Sequence, residues 1–279
     1  MGRSYGWTKS VPHASGLVRP AVKRSAHRRK RPRRPVPGMM LHQDGSRHLW
    51  VPALGRQIDL IVTLDDATSE IHSAFLVEEE GTASTFQGLL EVFQAHGLPC
   101  ALYTDRGSHY FQTPDAGGKV NKATPTQVGR ALAQLGVEHI AAYSPEARGR
   151  SERMFGTLQD RLVREMADAG ITTLAAANRF LREVYLADHN ARFTVEPAEP
   201  GTAFVPVSGT NLADILCHQE ERVVGNDNTV RFERLVLQIL PSPLRAHFVK
   251  ATVRVHRYPD DRAVPWPALH RPVSARRHP

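Results

Sequence analysis

Three carboxylates have types and settings that could do chemistry together: Asp44 in LHQDGS, Asp105 in YTDRGSHYF and Glu152 in SPEARGRSERMFGTLQDRL. Stretches of 60 and 46 residues separate them. Acids that converge without a basic partner repel one another and raise their own pKa values, which is costly unless a cation neutralises them. Hard oxygen donors of this kind suit Mg²⁺ or Mn²⁺, which take carboxylates, water and substrate phosphates as ligands. Two such ions can clamp the attacking and leaving oxygens of an in-line phosphoryl transfer. Taken singly, each of the 28 acids in the chain reads as a solvated or turn group. Asp65 and Asp66 are expected in a turn, and Glu78 to Glu80 at a solvated strand end.

The neighbours of the three acids are basic. Arg106, His109, Arg148, Arg150 and Arg153 flank them, and such cations can hold a phosphate backbone without reading its sequence. Solvated arginines that balance local acids explain the same pattern equally well. Gly107 and Gly149 would leave the adjoining loops free to close. His109 is a weaker candidate for a general base, and Trp50 and Trp266 read as packing residues.

The elements that must position the acids follow from periodicity. MMLHQDGS is a strand ending at Asp44; QIDLIVTLDDA and EIHSAFLVEEE are two more, joined by a turn and hence antiparallel. TASTFQGLLEVFQAHG puts Phe86, Leu89, Leu90 and Phe93 on one helical stripe, with Thr82 as N-cap and Gly97 with Pro99 as the stop. The strand CALYTD, a loop over 112–125, the helix TPTQVGRALAQLG, the strand VEHIAAY and a long helix starting near Glu152 follow. The order β-β-β-α-β-α-β-α predicts an α/β fold with a mixed five-stranded sheet flanked by helices. Ligands bind at strand ends beside switch points of such sheets. If the first and fourth strands are neighbours, Asp44 and Asp105 lie side by side there, and a helix start at the same rim adds Glu152. A further helix is expected over about 174–188, then a linker. ERVVGNDNTVRFERLVLQIL reads as a hairpin turning at GNDN, and HFVKATVRVHRY as a strand with Lys250, Arg254 and His256 on a basic outer face.

Composition bounds the partners. The net charge of +8 is uneven: residues 1–43 hold eleven Lys or Arg and no acid, residues 44–240 hold 17 basic and 26 acidic, and residues 241–279 hold eight basic and two acidic. An acidic middle between basic ends excludes a simple cationic globule and suits a polyanion brought to a metal site. VRPAVKRSAHRRKRPRRP is too proline-rich and too poor in large apolar residues for a helix or a core, so an extended basic arm is expected, with Arg28, Arg29, Lys30 and Arg31 as candidate contacts to a polyanion. Cys100 and Cys217 stand without metal-ligand or framework spacing, which points to a reducing compartment. No run is apolar enough for a membrane span and the start lacks a secretory signal, so a soluble, cytoplasmic protein with no membrane partner is expected.

The three acid blocks, together with HNARF over 189–193, closely resemble those of the DDE integrase and transposase superfamily. The resemblance covers roughly residues 15–258 and is nearest to bacterial insertion-sequence transposases of the ISNCY group. It implies a ribonuclease H-like catalytic core, with Asp44, Asp105 and Glu152 as the catalytic, metal-binding acids. It further implies two Mg²⁺ or Mn²⁺ ions, DNA ends and target DNA as substrates, and a homo-multimer on DNA. Arg106, Arg148, Arg150, Arg153, Lys250 and Arg254 become DNA-contact candidates. The implied organisation is a remnant of a helix-turn-helix region over 1–17, the basic arm 18–38, the core 39–195, a linker 196–206, an SH3-like β-barrel 207–260 and a basic tail 261–279. The truncated start and Glu146, which stands where a neutral residue is common, depart from the family pattern. The rival is a truncated DNA-binding remnant without activity. A ribonuclease H proper would recruit a further acid from the first helix, for which Glu91 is the candidate.

Overall fold

The computed structural model describes residues 31–114, 118–121, 123–143, 149–240, 246–258, 263–266 and 276–277. The expected helix-turn-helix remnant, Arg28, Arg29, Lys30, Glu146 and Arg148 lie outside them, as do the side chains of Gly149, Arg150 and Trp266.

Five strands make the central sheet: β1 (Leu41–His48), β2 (Ile58–Asp65), β3 (Ile71–Val77), β4 (Ala101–Thr104) and β5 (Glu138–Ala141), in the order β3-β2-β1-β4-β5. The first three form the antiparallel meander that their short connections require, and β4 and β5 join in parallel through helical crossovers. β2 is buried at all eight positions because helices cover both faces of the sheet.

One face packs on α1 (Thr82–His96) and α2 (Gln127–Leu135), where Leu41, Phe86, Leu89, Phe93, Leu102 and Leu132 are buried together. α1 begins one residue earlier than a Thr82 cap would place it. Gly81 is the N-cap, and the Ser84 hydroxyl accepts its N–H at 2.9 Å. Gly97 ends the helix at φ 100°, and a side chain there would strike the Val205 carbonyl, 2.5 Å from a Cβ. The other face packs on α3 (Gly149–Asp168) and α4 (Leu174–Phe180), with Trp50, Leu60, Val62, Leu158, Leu162 and Met166 in its core. α4 runs through a π-helical turn, Leu181–Tyr185, into α5 (Leu186–Phe193). The helix expected to stop near 188 therefore carries the HNARF stretch as its last turn. Each large side chain buried here contributes about 1.5–3 kcal/mol.

Residues beyond the core are tied back to it. The Arg33 guanidinium donates to the Asp66 carbonyl at 3.0 Å, and Asp66 accepts the Arg34 N–H at 2.7 Å and pairs with His42 at 2.7 Å. Asp65 and Asp66 do sit at the β2–β3 turn, but both are fully buried, and Asp65 accepts the N–H groups of Gly38, Ala67 and Thr68. Ala203 donates to the Pro37 carbonyl, and Leu98 bridges to Val205. α6 (Leu212–Ile215) joins the α1–α2 core, and Arg130 of α2 donates to the carbonyls of Ile215 and Cys217 at 3.0 and 2.7 Å.

The C-terminal strands are β6 (His218–Val223), β7 (Thr229–Phe232), β8 (Leu235–Gln238), β9 (Thr252–Arg257), β10 (Ala263–Trp266) and β11 (Arg276–Arg277). They form two three-stranded sheets, β10-β9-β6 and β11-β8-β7, around one core of Val224, Val230, Phe232, Leu237, Val253 and Val255. Among the described residues the C-terminal ladders are these two sheets. GNDN is a turn between strands of different sheets; the hairpin is β7–β8, turning at Glu233 with φ 53°. β9 lies between two strands, so Arg254 stays exposed while His256, expected on the outer face, is buried. That burial pushes the His256 pKa down to about 4.

Candidate active site

The parallel pairing of β1 with β4 sets Leu41 opposite Leu102 and His42 opposite Tyr103. Continuing that register two residues brings Asp44 opposite Asp105, immediately after β4 ends at Thr104. Asp44 does not end its strand as expected: β1 runs on to His48 and pairs Asp44 with Val62, so the two acids approach where β4 stops beside the middle of β1, in a register fixed by buried apolar residues. Asp44 is buried on β1, and its Oδ1 accepts the Gly45 N–H at 3.1 Å. Asp105 is half-buried at the start of a loop; its Oδ1 accepts the Gly107 N–H at 2.8 Å. The Gly107 carbonyl accepts the N–H groups of Tyr110 and Phe111, both at 2.9 Å, which winds the loop into a single turn.

Glu152 is in the first turn of α3 and is exposed. Its helix is anchored further along by Phe155, Leu158, Leu162 and Met166, and Gln159 donates to the Ser46 hydroxyl at 3.3 Å. Ser46 is two residues after Asp44 and so on the same face of β1, while Gln159 is two helical turns after Glu152. Glu152 therefore lies about 10 Å along the helix axis from that contact. Among the described residues no three His, Cys, Asp or Glu side chains are grouped closely enough to hold a metal ion. The β1–β4 pairing points Asp44 and Asp105 toward one another, and Glu152 stands exposed on the first turn of α3.

Behind the edge is Tyr110, fully buried, with its hydroxyl 3.4 Å from Gln43 Oε1. Burial first, then the charges of Glu80, Asp44 and Asp105, raise its pKa well above the ordinary tyrosine value. Tyr110 and Glu80 escaped the sequence reading. Tyr110 sits inside a block whose acid drew attention, and Glu80 closes an acidic triplet that resembles a solvated strand end. Glu78 and Glu79 are exposed as expected, but Glu80 is half-buried. Its carboxylate meets Gly45 and lies 3.5 Å from His109 Nε2. Glu91 is engaged elsewhere: it accepts a hydrogen bond from the Ser73 hydroxyl at 2.5 Å and another from Gln87.

The basic candidates are spread. Arg106 donates to the Gly118 carbonyl at 2.7 Å and lies 5.2 Å from the Tyr143 ring, so it braces the loop after Asp105. Arg153 is exposed beside Glu152. Lys250 is exposed in a turn at φ 60°, and Arg254 faces Glu221 at 3.6 Å on β9. Arg31 is exposed at the first described position. Trp50 is buried and donates to the Ser46 carbonyl at 2.7 Å. No helix of the described residues is long and apolar enough to cross a membrane.

No family model matches the chain. It is 33 % identical over 250 residues to a putative transposase, y4bF, of Sinorhizobium fredii, covering 89 % of this chain and 54 % of that protein. It is 29 % identical over 223 residues to the transposase for insertion sequence IS1202 of Streptococcus pneumoniae, covering 80 % of this chain and 47 % of that protein. The chain spans about half the length of these curated relatives. Similar solved structures include the HTLV-2 integrase catalytic core domain in complex with magnesium, at 16 % identity and TM-score 0.40, over 53 % of this chain and 89 % of that one. Another is a chain of the simian T-cell lymphotropic virus intasome in complex with PP2A regulatory subunit B56 gamma, at 17 % identity and TM-score 0.47, over 99 % of this chain and 93 % of that one. Matched along most of its length to insertion-sequence transposases, and carrying two of the expected acids on one edge of a mixed five-stranded sheet, the chain belongs to the DDE transposase and integrase superfamily.

Proposed function

We propose that this chain nicks DNA at the ends of a mobile element and joins them to target DNA, using divalent metal ions held by Asp44 and Asp105 with Glu152 as the third acid. The observation that carries the reading is the β1–β4 register, His42 opposite Tyr103, which continued by two residues would set Asp44 of β1 opposite Asp105 just after β4. Two buried or half-buried carboxylates at one edge, with Tyr110 behind them feeling both charges, are a donor set that fits Mg²⁺ or Mn²⁺. Two such ions, when bound, would make water or a 3′-hydroxyl a better nucleophile and neutralise the leaving oxygen.

The chain's own residues supply position and charge. The Asp105–Gly107 turn aims the Asp105 carboxylate, Arg106 braces the loop behind it, and the Phe155 to Met166 stripe fixes the helix that presents Glu152. Water would first attack the phosphodiester at the element end, releasing a 3′-hydroxyl. That hydroxyl would then attack a target phosphodiester, one bond forming as one breaks, with no covalent bond to the protein. The basic residues of the arm and of the C-terminal strands would hold DNA through its phosphates, with Arg153 beside Glu152 on α3. Joining two ends calls for more than one copy of the chain.

The test is incubation with labelled element-end DNA and Mg²⁺ or Mn²⁺. Asp44→Asn, Asp105→Asn and Glu152→Gln are expected to lose nicking and joining while salt-sensitive DNA binding persists. Full activity in the triple variant would overturn the assignment, and binding without cleavage by the unaltered chain would make it a DNA-binding remnant.

A further inference from the structure

We infer that Glu80 is a positioning residue that sets the spacing of Asp44 and Asp105 from behind the β1 edge, acting with His109; this rests on the reading of that pair as the metal-holding acids. The β1–β4 ladder ends at His42 and Tyr103, two residues short of the acids. Backbone pairing of those two strands therefore stops before the point where precision matters, and another contact has to hold the two chain segments together.

Glu80 supplies it. Its backbone N–H donates to Asp59 Oδ2 at 2.8 Å, which fixes the chain where it leaves β3. Side chains alternate along β1. Gln43 reaches Thr63 and the Thr85 carbonyl on the α1 side, and Ser46 reaches Gln159 on the α3 side. Asp44 thus shares a face with Ser46, and position 45 points to the α1 side. That position is glycine, and the Glu80 carboxylate fills the space a side chain would take: a Cβ on Gly45 would lie 2.3 Å from Glu80 Oε2.

From that place Glu80 Oε1 is 3.5 Å from His109 Nε2. The His109 ring lies 4.0 Å from that of Tyr110 and borders Gly107, where a Cβ would be 3.1 Å from both His109 Cε1 and Asp105 Oδ1. One carboxylate therefore touches the backbone that carries Asp44 and the imidazole that walls the turn carrying Asp105. An ordinary solvated strand-end glutamate would make neither contact, and the Glu80 side chain is only 26 % exposed. Glycine at 45 is then a requirement of the site, because any side chain there would evict Glu80.

The experiment is Mn²⁺ binding to the full chain, titrated alone and read by calorimetry or paramagnetic resonance, with melting temperature measured in parallel. Glu80→Ala and His109→Ala are each expected to weaken Mn²⁺ binding about tenfold, and the double variant to be no weaker than the poorer single one, at unchanged melting temperature. Gly45→Ala displaces only the tip of a flexible side chain, so it should fold. It should reproduce the loss in the native background and add nothing in Glu80→Ala. Asp44→Asn should abolish Mn²⁺ binding; binding retained there would remove the metal reading and this inference with it. Asp44→Asn abolishing binding while Glu80→Ala binds like the native chain would overturn the role of Glu80 alone. So would a Gly45→Ala loss that persists in Glu80→Ala.

Discussion

Asp44 and Asp105 differ from Glu152 in what holds them. The two aspartates are placed by a parallel strand pair whose register is locked by buried Leu41 and Leu102. Glu152 rides on the exposed first turn of a helix whose apolar stripe begins three residues later, at Phe155. Asp44 is held in the β1–β2 ladder opposite Val62 and Asp105 follows β4 by one residue, whereas a helix end is fixed only by the packing further along it. The contrast teaches that this site has a preset pair and a third member whose placement depends on α3.

The sharpest way to break the contrast is to remove its fixed half. Asp44→Asn or Asp105→Asn should lower the nicking rate by roughly three orders of magnitude or more, equivalent to about 4 kcal/mol of barrier; a rate assay with element-end DNA checks it. Next in size is the seating of α3. Leu162→Ala empties part of the core under that helix and should cost about 3 kcal/mol in urea unfolding, with activity lost even at temperatures where the chain is still folded.

Acid should act on the supports before the carboxylates. Burial pulls His72 down to about 4, helped by the nearby His96, and burial pulls His189 down to about 4, helped by Arg161. Folded values below the unfolded value of about 6.5 mean that their contribution is fully present above pH 6.5 and is lost as pH falls from there towards 4. Urea unfolding at pH 7.5 and 5.0 should differ by on the order of 2 kcal/mol per histidine, and His72→Phe should flatten the slope. The smallest effect is expected from Gln159→Ala, which removes the bond to Ser46. A stability loss of about 1 kcal/mol with an equal or larger fall in rate would show that this contact also sets the reach of Glu152.

Much of the architecture was legible in sequence because it is local. The period of two in QIDLIVTLDDA and EIHSAFLVEEE with a short turn between them forces an antiparallel pair, and the stripe from Phe155 to Met166 forces a helix with one buried face. Other features were not legible because they depend on what packs alongside. The π-turn at Leu181–Tyr185 carries α4 into α5 past the point where propensity suggested an end. β9 lies between two strands, which buries His256 against its alternating pattern, and β6 pairs with β9 rather than with the strand that follows it. Glu80 could not be told from Glu78 and Glu79 until Gly45 stood opposite it.

The residue sequence by itself determined which acids carry the family's blocks, the order of strands and helices, and the division of charge between basic ends and an acidic middle. Each of these is a property of residue types and short spacings. Only the tertiary structure decided that β1 lies beside β4, that Asp44 is buried while Glu152 is exposed, and that Glu80 packs against Gly45 where a side chain is missing. Those are contacts between segments tens of residues apart, set by buried apolar area and ladder register, and no local pattern encodes them.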